Sequence, residues 1–192
     1  SKAFDLNPAD NAVLDALCEL YERVERYRDL AVILRARAKE VSNPDIRAEL
    51  YRRIARLLAD RVHNEEAAAE AWRVVLEVKE DEEALLWLLK TARSHNDPHA
   101  LVIYLERLAA CSGDVERRRA YLMEQADLLN DALKRRDEAL RVLRYIVDSV
   151  DAGCVPALQR LAAISEEAGD MRGLAEALGR QLGLTEDPGL RI

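Results

Sequence analysis

The chain has 192 residues, a formal net charge of −7 at pH 7, and 34% charged residues. Aromatic residues are few at 5%, and only seven Gly and five Pro interrupt the chain, a composition that favours helices over strands. Basic and acidic residues are interleaved throughout, so no basic arm or stripe indicates a nucleic-acid partner, and no apolar run is long enough to predict a membrane span.

The sequence repeats itself after 71 residues. The stretch 43–80 reads as two amphipathic helices joined by a short polar turn, and a second stretch restates it: Ala55 is matched by Ala126 and Trp72 by Leu143. Self-similarity at a fixed spacing is the signature of repeat architectures. The pattern therefore predicts a helical repeat protein.

Five helix pairs, here called units, are predicted in chain order. The start of unit two is marked by Asn43 as N-cap and Pro44 in the first helical turn, and its second helix begins at Asn64. Glu65 and Glu66 follow Asn64, and carboxylates in the first turn suit the helix dipole. The predicted units span residues 10–41, 44–79, 81–111, 114–150 and 153–183.

Three further expectations concern the units themselves. The even units contain extra residues, which we assign to a longer turn between their two helices, so that the period is a pair of units. In unit five we expect Leu174, Leu178 and Leu182 to face the core. Residues 187–191 read as the opening of a sixth unit, and repeat arrays normally finish with a polar capping helix. We therefore expect the full-length protein to be longer.

The apolar pattern resembles that of the tetratricopeptide repeat (TPR) family, whose unit has about 34 residues. In unit three, Leu85, Leu88 and Leu89 fall at positions of the family's repeat pattern. Cys18 and Ala55 occupy a position where the family usually has Gly. The resemblance implies an all-α fold: a right-handed α-α superhelix of about five antiparallel helix pairs, forming one domain over the whole chain. It also implies that the first helix of each pair lines a concave groove that binds a peptide or helix of a partner.

The resemblance further implies which side chains face the groove. They are acidic in unit one, at Asp15, Glu19 and Glu22, and basic across units two and three. The predicted partner-binding residues are Arg52, Arg56, Lys90 and Arg93. Such a strip suits an acidic peptide. The alternative is that these four cations pair with Glu49 and Glu83 and only keep the surface soluble.

No residue pattern predicts catalysis, a cofactor or a metal. His95 and His99 have a spacing that would suit a metal on one helix face, but Pro98 between them argues for ordinary loop histidines. Cys18 and the other two cysteines form no CxxC pair, which indicates reduced thiols, with Cys18 in the core. Trp72 is predicted to lie in the core, and Trp87 between units or partly exposed.

The favoured function is a protein–protein interaction scaffold within a cytoplasmic, bacterial multi-repeat protein. The alternative is a regulatory or substrate-recruiting arm of an enzyme whose catalytic domain lies outside this segment. Nucleic-acid binding is disfavoured by the acidic charge balance.

Overall fold

The computed structural model describes residues 11–186 and, within them, all side chains except those at positions 11, 12, 14, 185 and 186. In this range 84% of residues are helical, there are ten helices, and there is no strand, which confirms the all-α prediction. No helix of the described part is long and apolar enough to cross a membrane. Residues 187–191, which were assigned to a sixth unit, lie outside what is described. The helices are α1 (Asn11–Arg23), α2 (Tyr27–Glu40), α3 (Pro44–Asp60), α4 (Glu65–Val78), α5 (Glu82–Ser94), α6 (Pro98–Cys111), α7 (Val115–Asp127, continued by a π-helical turn Leu128–Ala132), α8 (Arg136–Tyr145, continued by a π-helical turn Ile146–Val150), α9 (Val155–Ala168) and α10 (Met171–Glu186).

Asn and Asp side chains cap several helix starts. Asn43 Oδ1 accepts hydrogen bonds from the backbone N–H groups of residues 45 and 46, and Pro44 occupies the first turn, as predicted. Asn64, Asp97 and Asp114 make equivalent contacts at the starts of α4, α6 and α7. Each cap satisfies backbone donors that have no partner within the helix.

Consecutive helices pack on one another within two compact parts of the described chain, which divide between residues 88 and 89. In the first part α1 packs on α2, α2 on α3, and α3 on α4. In the second part α6 packs on α7, α7 on α8, α8 on α9, and α9 on α10. Because the turns between paired helices are short, partners in a pair run antiparallel.

The core repeats at the spacing seen in the sequence. Ala55 and Ala126 are 0% and 1% exposed, and Trp72 and Leu143 are 1% and 0% exposed. Helix starts repeat too: α2, α3 and α4 begin at residues 27, 44 and 65, and α6, α7 and α8 begin at residues 98, 115 and 136. The 71-residue period therefore describes both the burial pattern and the helix boundaries.

The extra residues of the even units lie in their first helices, so the prediction of a longer turn is wrong. Helix α3 has 17 residues, whereas α1 and α5 have 13 each. The helix that begins with α7 runs on through its π-helical turn to Ala132. Leu58 and Leu129, near the ends of these two helices, are buried at 6% and 2% exposure, and burial of such residues favours continuing the helix.

One residue in the turn within each helix pair adopts a positive φ. These residues are Glu25, His63, Asn96, Lys134 and Gly169, with φ between 51° and 72°. A left-handed residue reverses the chain direction after a helix and normally favours Gly. Only the last of the five turns uses Gly.

Helix α10 buries a different stripe from the one predicted. Leu178 and Leu182 are 49% and 58% exposed, so their assignment to the core is wrong. The side facing α9 is formed instead by the buried Ala177 and by Leu174 and Leu184, which are partly buried. The small Ala177 side chain permits close approach to the core, and the face carrying the two exposed leucines is turned away.

Candidate interaction surface

Two of the four predicted cations, Arg52 and Arg56, lie on α3 and are held by carboxylates. Arg56 donates two hydrogen bonds to Glu83, from Nε at 2.7 Å and from a terminal nitrogen at 2.5 Å. Arg52 forms ion pairs with Glu49 one turn earlier on α3 and with Asp81 just before α5. The structure therefore places both arginines together, but each already has an acidic partner.

The Arg52–Asp81 ion pair is largely buried. The two side chains are 18% and 9% exposed, and Asp81 also accepts a hydrogen bond from the Ala84 N–H at 2.9 Å. Burial by itself opposes ionisation of Asp81. The hydrogen bonds from Ala84 and Arg52 outweigh burial and hold the pKa of Asp81 below its usual value. This contact is part of the packing between helices rather than an open binding group.

The other two predicted cations lie on the second half of α5. Arg93 donates hydrogen bonds to both carboxylate oxygens of Glu124 on α7, at 2.8 and 2.7 Å. Lys90 is exposed and makes no ion pair with any described residue. The alternative of local pairing thus holds for three of the four cations, with Asp81 and Glu124 as partners in addition to the glutamates anticipated from sequence.

The acidic part of the predicted groove is paired in the same way. Glu22 on α1 accepts a hydrogen bond from Arg53 on α3 at 2.8 Å, and Asp15 pairs with Arg37 on α2. The Asp15–Arg37 pair lies within unit one, whereas the Glu22–Arg53 pair joins neighbouring units across 31 residues. Pairs of the second kind recur along the chain, and apart from those to Glu83 they were missed in the sequence. A search for opposite charges one unit apart is the signal that would have found them. Further examples are Asp127–Arg160, Arg136–Glu167 and Asp148–Arg180.

The residues considered for metal binding or nucleophilic chemistry have ordinary surroundings. Cys18 is buried as predicted, and burial raises the pKa of its thiol, which keeps it protonated. His95 and His99 are exposed, and His95 Nδ1 lies 2.9 Å from the Thr91 carbonyl oxygen. Among the described residues no group of three His, Cys, Asp or Glu side chains is arranged to hold a metal ion.

Comparison with known proteins finds similarity in solved structures only. No family model and no curated protein matches the chain. It is similar to MamA, with 14% identity, 86% of this chain and 92% of the other covered, and a TM-score of 0.46. It is also similar to YrrB, described as a TPR protein with an unusual peptide-binding site, with 17% identity, 98% and 93% covered, and a TM-score of 0.43. A third is a putative kinesin light chain of Podosopora anserina with TPR-like repeats, with 16% identity, 93% and 96% covered, and a TM-score of 0.43.

Two of these three structures, those of YrrB and the kinesin light chain, are described as having TPR or TPR-like repeats, the pattern that the sequence of this chain resembles. At such identities and TM-scores they do not indicate a shared ligand. The helix-pair architecture of this chain rests on its own helices, their caps and their buried alanines.

Proposed function

We propose that this chain is a non-catalytic protein–protein interaction scaffold that binds an acidic peptide or helix of a partner through Arg52, Arg56, Lys90 and Arg93. The observation that carries the proposal is the exposure of the present acidic partners. Glu83 and Glu124 are 45% and 37% exposed where they pair with Arg56 and Arg93. Exposed ion pairs contribute about 0–1 kcal/mol, so the carboxylates of a partner can replace them at little cost.

The four cations have different parts in this proposal. Arg56 and Arg93 exchange an internal carboxylate for one of the partner. Lys90 is exposed without an ion pair to the described residues and gains one. Arg52 keeps its buried contact with Asp81 and adds positive charge close to Arg56. A cytoplasmic, reducing setting belongs to the same proposal, since none of Cys18, Cys111 and Cys154, which the structure describes, forms a disulfide.

The test uses two fluorescein-labelled amphipathic peptides, one built from Glu and Leu and the other from Gln and Leu. Fluorescence anisotropy is measured with the whole chain at low and at physiological salt. We expect the Glu peptide to bind at least about tenfold more tightly, with a strong salt dependence. The double variant Arg56→Glu/Lys90→Glu should weaken binding about tenfold and flatten the salt dependence.

A matched control carries the same charge change on second helices. Arg28 on α2 and Arg73 on α4 are exposed and have no ion pair with the described residues. The variant Arg28→Glu/Arg73→Glu should therefore retain binding. Equal affinities of the wild type and Arg56→Glu/Lys90→Glu would overturn the proposed site, and equal affinities for the two peptides would overturn the acidic partner.

A further inference from the structure

A second surface lies between α6, α7 and α8, away from the four cations. These helices enclose an open cleft, here called the α6–α8 cleft, with a volume of about 310 Å³. Leu122, Val142 and two alanines of α6 form its apolar wall. Small-molecule and peptide side-chain sites have volumes that begin at about 300 Å³, so the cleft is large enough for one or two side chains.

A glutamine side chain lines this cleft without a hydrogen-bond partner among the described residues. Gln125 on α7 is only 4% exposed, and its side chain makes no hydrogen bond with them. Its amide atoms are not fully buried, so they reach the water of the cleft. An amide offers a donor and an acceptor side by side, which matches the donor and acceptor of a peptide group.

Two arginines give the cleft a positive balance. Arg141 on α8 is exposed and makes no ion pair with the described residues. Arg118 on α7 lies over the ring of Tyr145, with its guanidinium carbon 5.5 Å from the ring centroid, and donates a hydrogen bond to the Tyr145 hydroxyl. Its Nε is buried without a partner. Only Glu106 among the lining residues opposes these two cations.

We propose that the α6–α8 cleft binds an extended segment of a partner protein in which an aliphatic residue adjoins Asp or Glu. The aliphatic side chain fills the cleft against Leu122 and Val142. The carboxylate pairs with Arg141, and Arg118 rotates toward it and so gains a partner for its Nε. The amide of Gln125 pairs with a peptide group of the segment. Tyr and Arg, which line the cleft, are among the residue types enriched at the hot spots of protein interfaces.

The test titrates the whole ¹⁵N-labelled chain with short peptides that have blocked ends and alanine flanks. One peptide carries Leu-Glu at its centre, a second Leu-Gln, and a third Ala-Glu. We expect saturable shifts of the amide signals of Ala110, Gln125 and Tyr145 with the Leu-Glu peptide. The other two peptides should bind about tenfold more weakly, because each lacks one of the two contacts.

Variants separate the cleft from a nonspecific charge effect. Arg141→Glu and Gln125→Met should each weaken Leu-Glu binding about tenfold. Gln125→Met keeps the buried volume, so its melting temperature reports that the fold is retained. Arg172→Glu is the control, since Arg172 is an exposed cation of α10 without an ion pair to the described residues, and it should bind like the wild type.

The outcomes also separate this site from the one proposed above. Arg56→Glu/Lys90→Glu should leave the Leu-Glu titration curves of Ala110, Gln125 and Tyr145 unchanged, because these signals report the cleft alone, so either site can fail while the other stands. Loss of these shifts in that variant, equal affinity of Arg141→Glu and wild type at these signals, or the absence of shifts at the cleft would each overturn the proposal. Absence of saturable binding would overturn it as well.

Discussion

The indole rings of Trp72 and Trp87 lie with their centroids 6.4 Å apart and their planes tilted by 37°. Trp72 is the larger contributor to the core because it is 1% exposed, whereas Trp87 is half-buried. We expect Trp72→Ala to lower the free energy of unfolding by about 3–5 kcal/mol. Trp87→Ala should cost less, because part of its surface stays in water. Urea denaturation followed by circular dichroism measures both, and equal losses would contradict this ranking.

Overpacking should destabilise the chain at the two repeated alanines. Ala55→Leu and Ala126→Leu each introduce a large side chain at a fully buried helix contact, with an expected cost of about 1–3 kcal/mol. Ala120→Leu is the control on α7, because Ala120 is exposed. Thermal midpoints of all three variants give the comparison. If Ala55→Leu and Ala126→Leu both had the thermal midpoint of the wild type, these two positions would have room for a larger side chain.

The Arg52–Asp81 ion pair should make stability depend on pH. Because the folded-state pKa of Asp81 lies below its unfolded value, its contribution is fully present above about pH 4 and is lost as the pH falls through the folded-state pKa. Asp81→Asn removes the charge but keeps an oxygen that can accept from Ala84 N–H. At neutral pH this variant should be less stable by about 1–3 kcal/mol.

The difference between Asp81→Asn and wild type should shrink as the pH falls below about 4. Denaturant titrations at several pH values measure it. Asp45→Asn serves as the control, because the Asp45–Lys79 ion pair is 76% exposed at the carboxylate and contributes at most about 1 kcal/mol. A pH-independent difference for Asp81→Asn would show that the ion pair is not the cause.

Glycine should stabilise the turns that now use other residues at positive φ. The left-handed conformation costs a non-Gly residue about 1–2 kcal/mol, and a substitution by Gly removes this cost. Gly also makes the unfolded chain more flexible, which lowers the free energy of unfolding by about 0.5–1 kcal/mol. We therefore expect Glu25→Gly and Lys134→Gly to raise stability by about 0.5–1 kcal/mol. Asn96→Gly should gain less, because Asn tolerates this conformation. Gly169→Ala should destabilise, and a rise in its melting temperature would contradict the argument.

Zinc, nickel and nucleotides should leave the melting temperature unchanged. A specific ligand at a hundredfold its dissociation constant would add about 2.7 kcal/mol to the free energy of unfolding. Differential scanning fluorimetry with each ligand makes the measurement. A clear upward shift with zinc or nickel that is absent in His95→Ala/His99→Ala would assign a metal site to these two histidines.

Most of the fold could be predicted from local signals. Asn43, Pro44 and Asn64 mark helix starts because capping depends only on neighbouring residues, and the structure places helices there. The buried Ala55 and Ala126 could be found because the sequence repeats. The longer first helices could not be assigned correctly, since Leu58 and Leu129 continue their helices only because packing partners are present.

The candidate sites depend on contacts between distant residues and were predicted less well. Glu83 could be named as a partner of the cations, but Arg93 meets Glu124 across 31 residues, so composition along one helix gives no sign of that pairing. The buried face of α10 was predicted to include Leu178, because a large apolar residue at helical spacing suggests burial. In the structure the small Ala177 is buried on this face instead. The α6–α8 cleft has no sequence signal, since three helices form it.

The matched starts of α2–α4 and α6–α8 indicate a module of four helices, 71 residues long, within which left-handed turns and buried alanines keep their places. Evolution or design can therefore change the number of binding positions by duplicating or removing such a module. Removing one unit would instead place two units whose first helices have the same length next to each other. Chain length in this architecture is thus expected to change in steps of two units, so that relatives differ by even numbers of helix pairs.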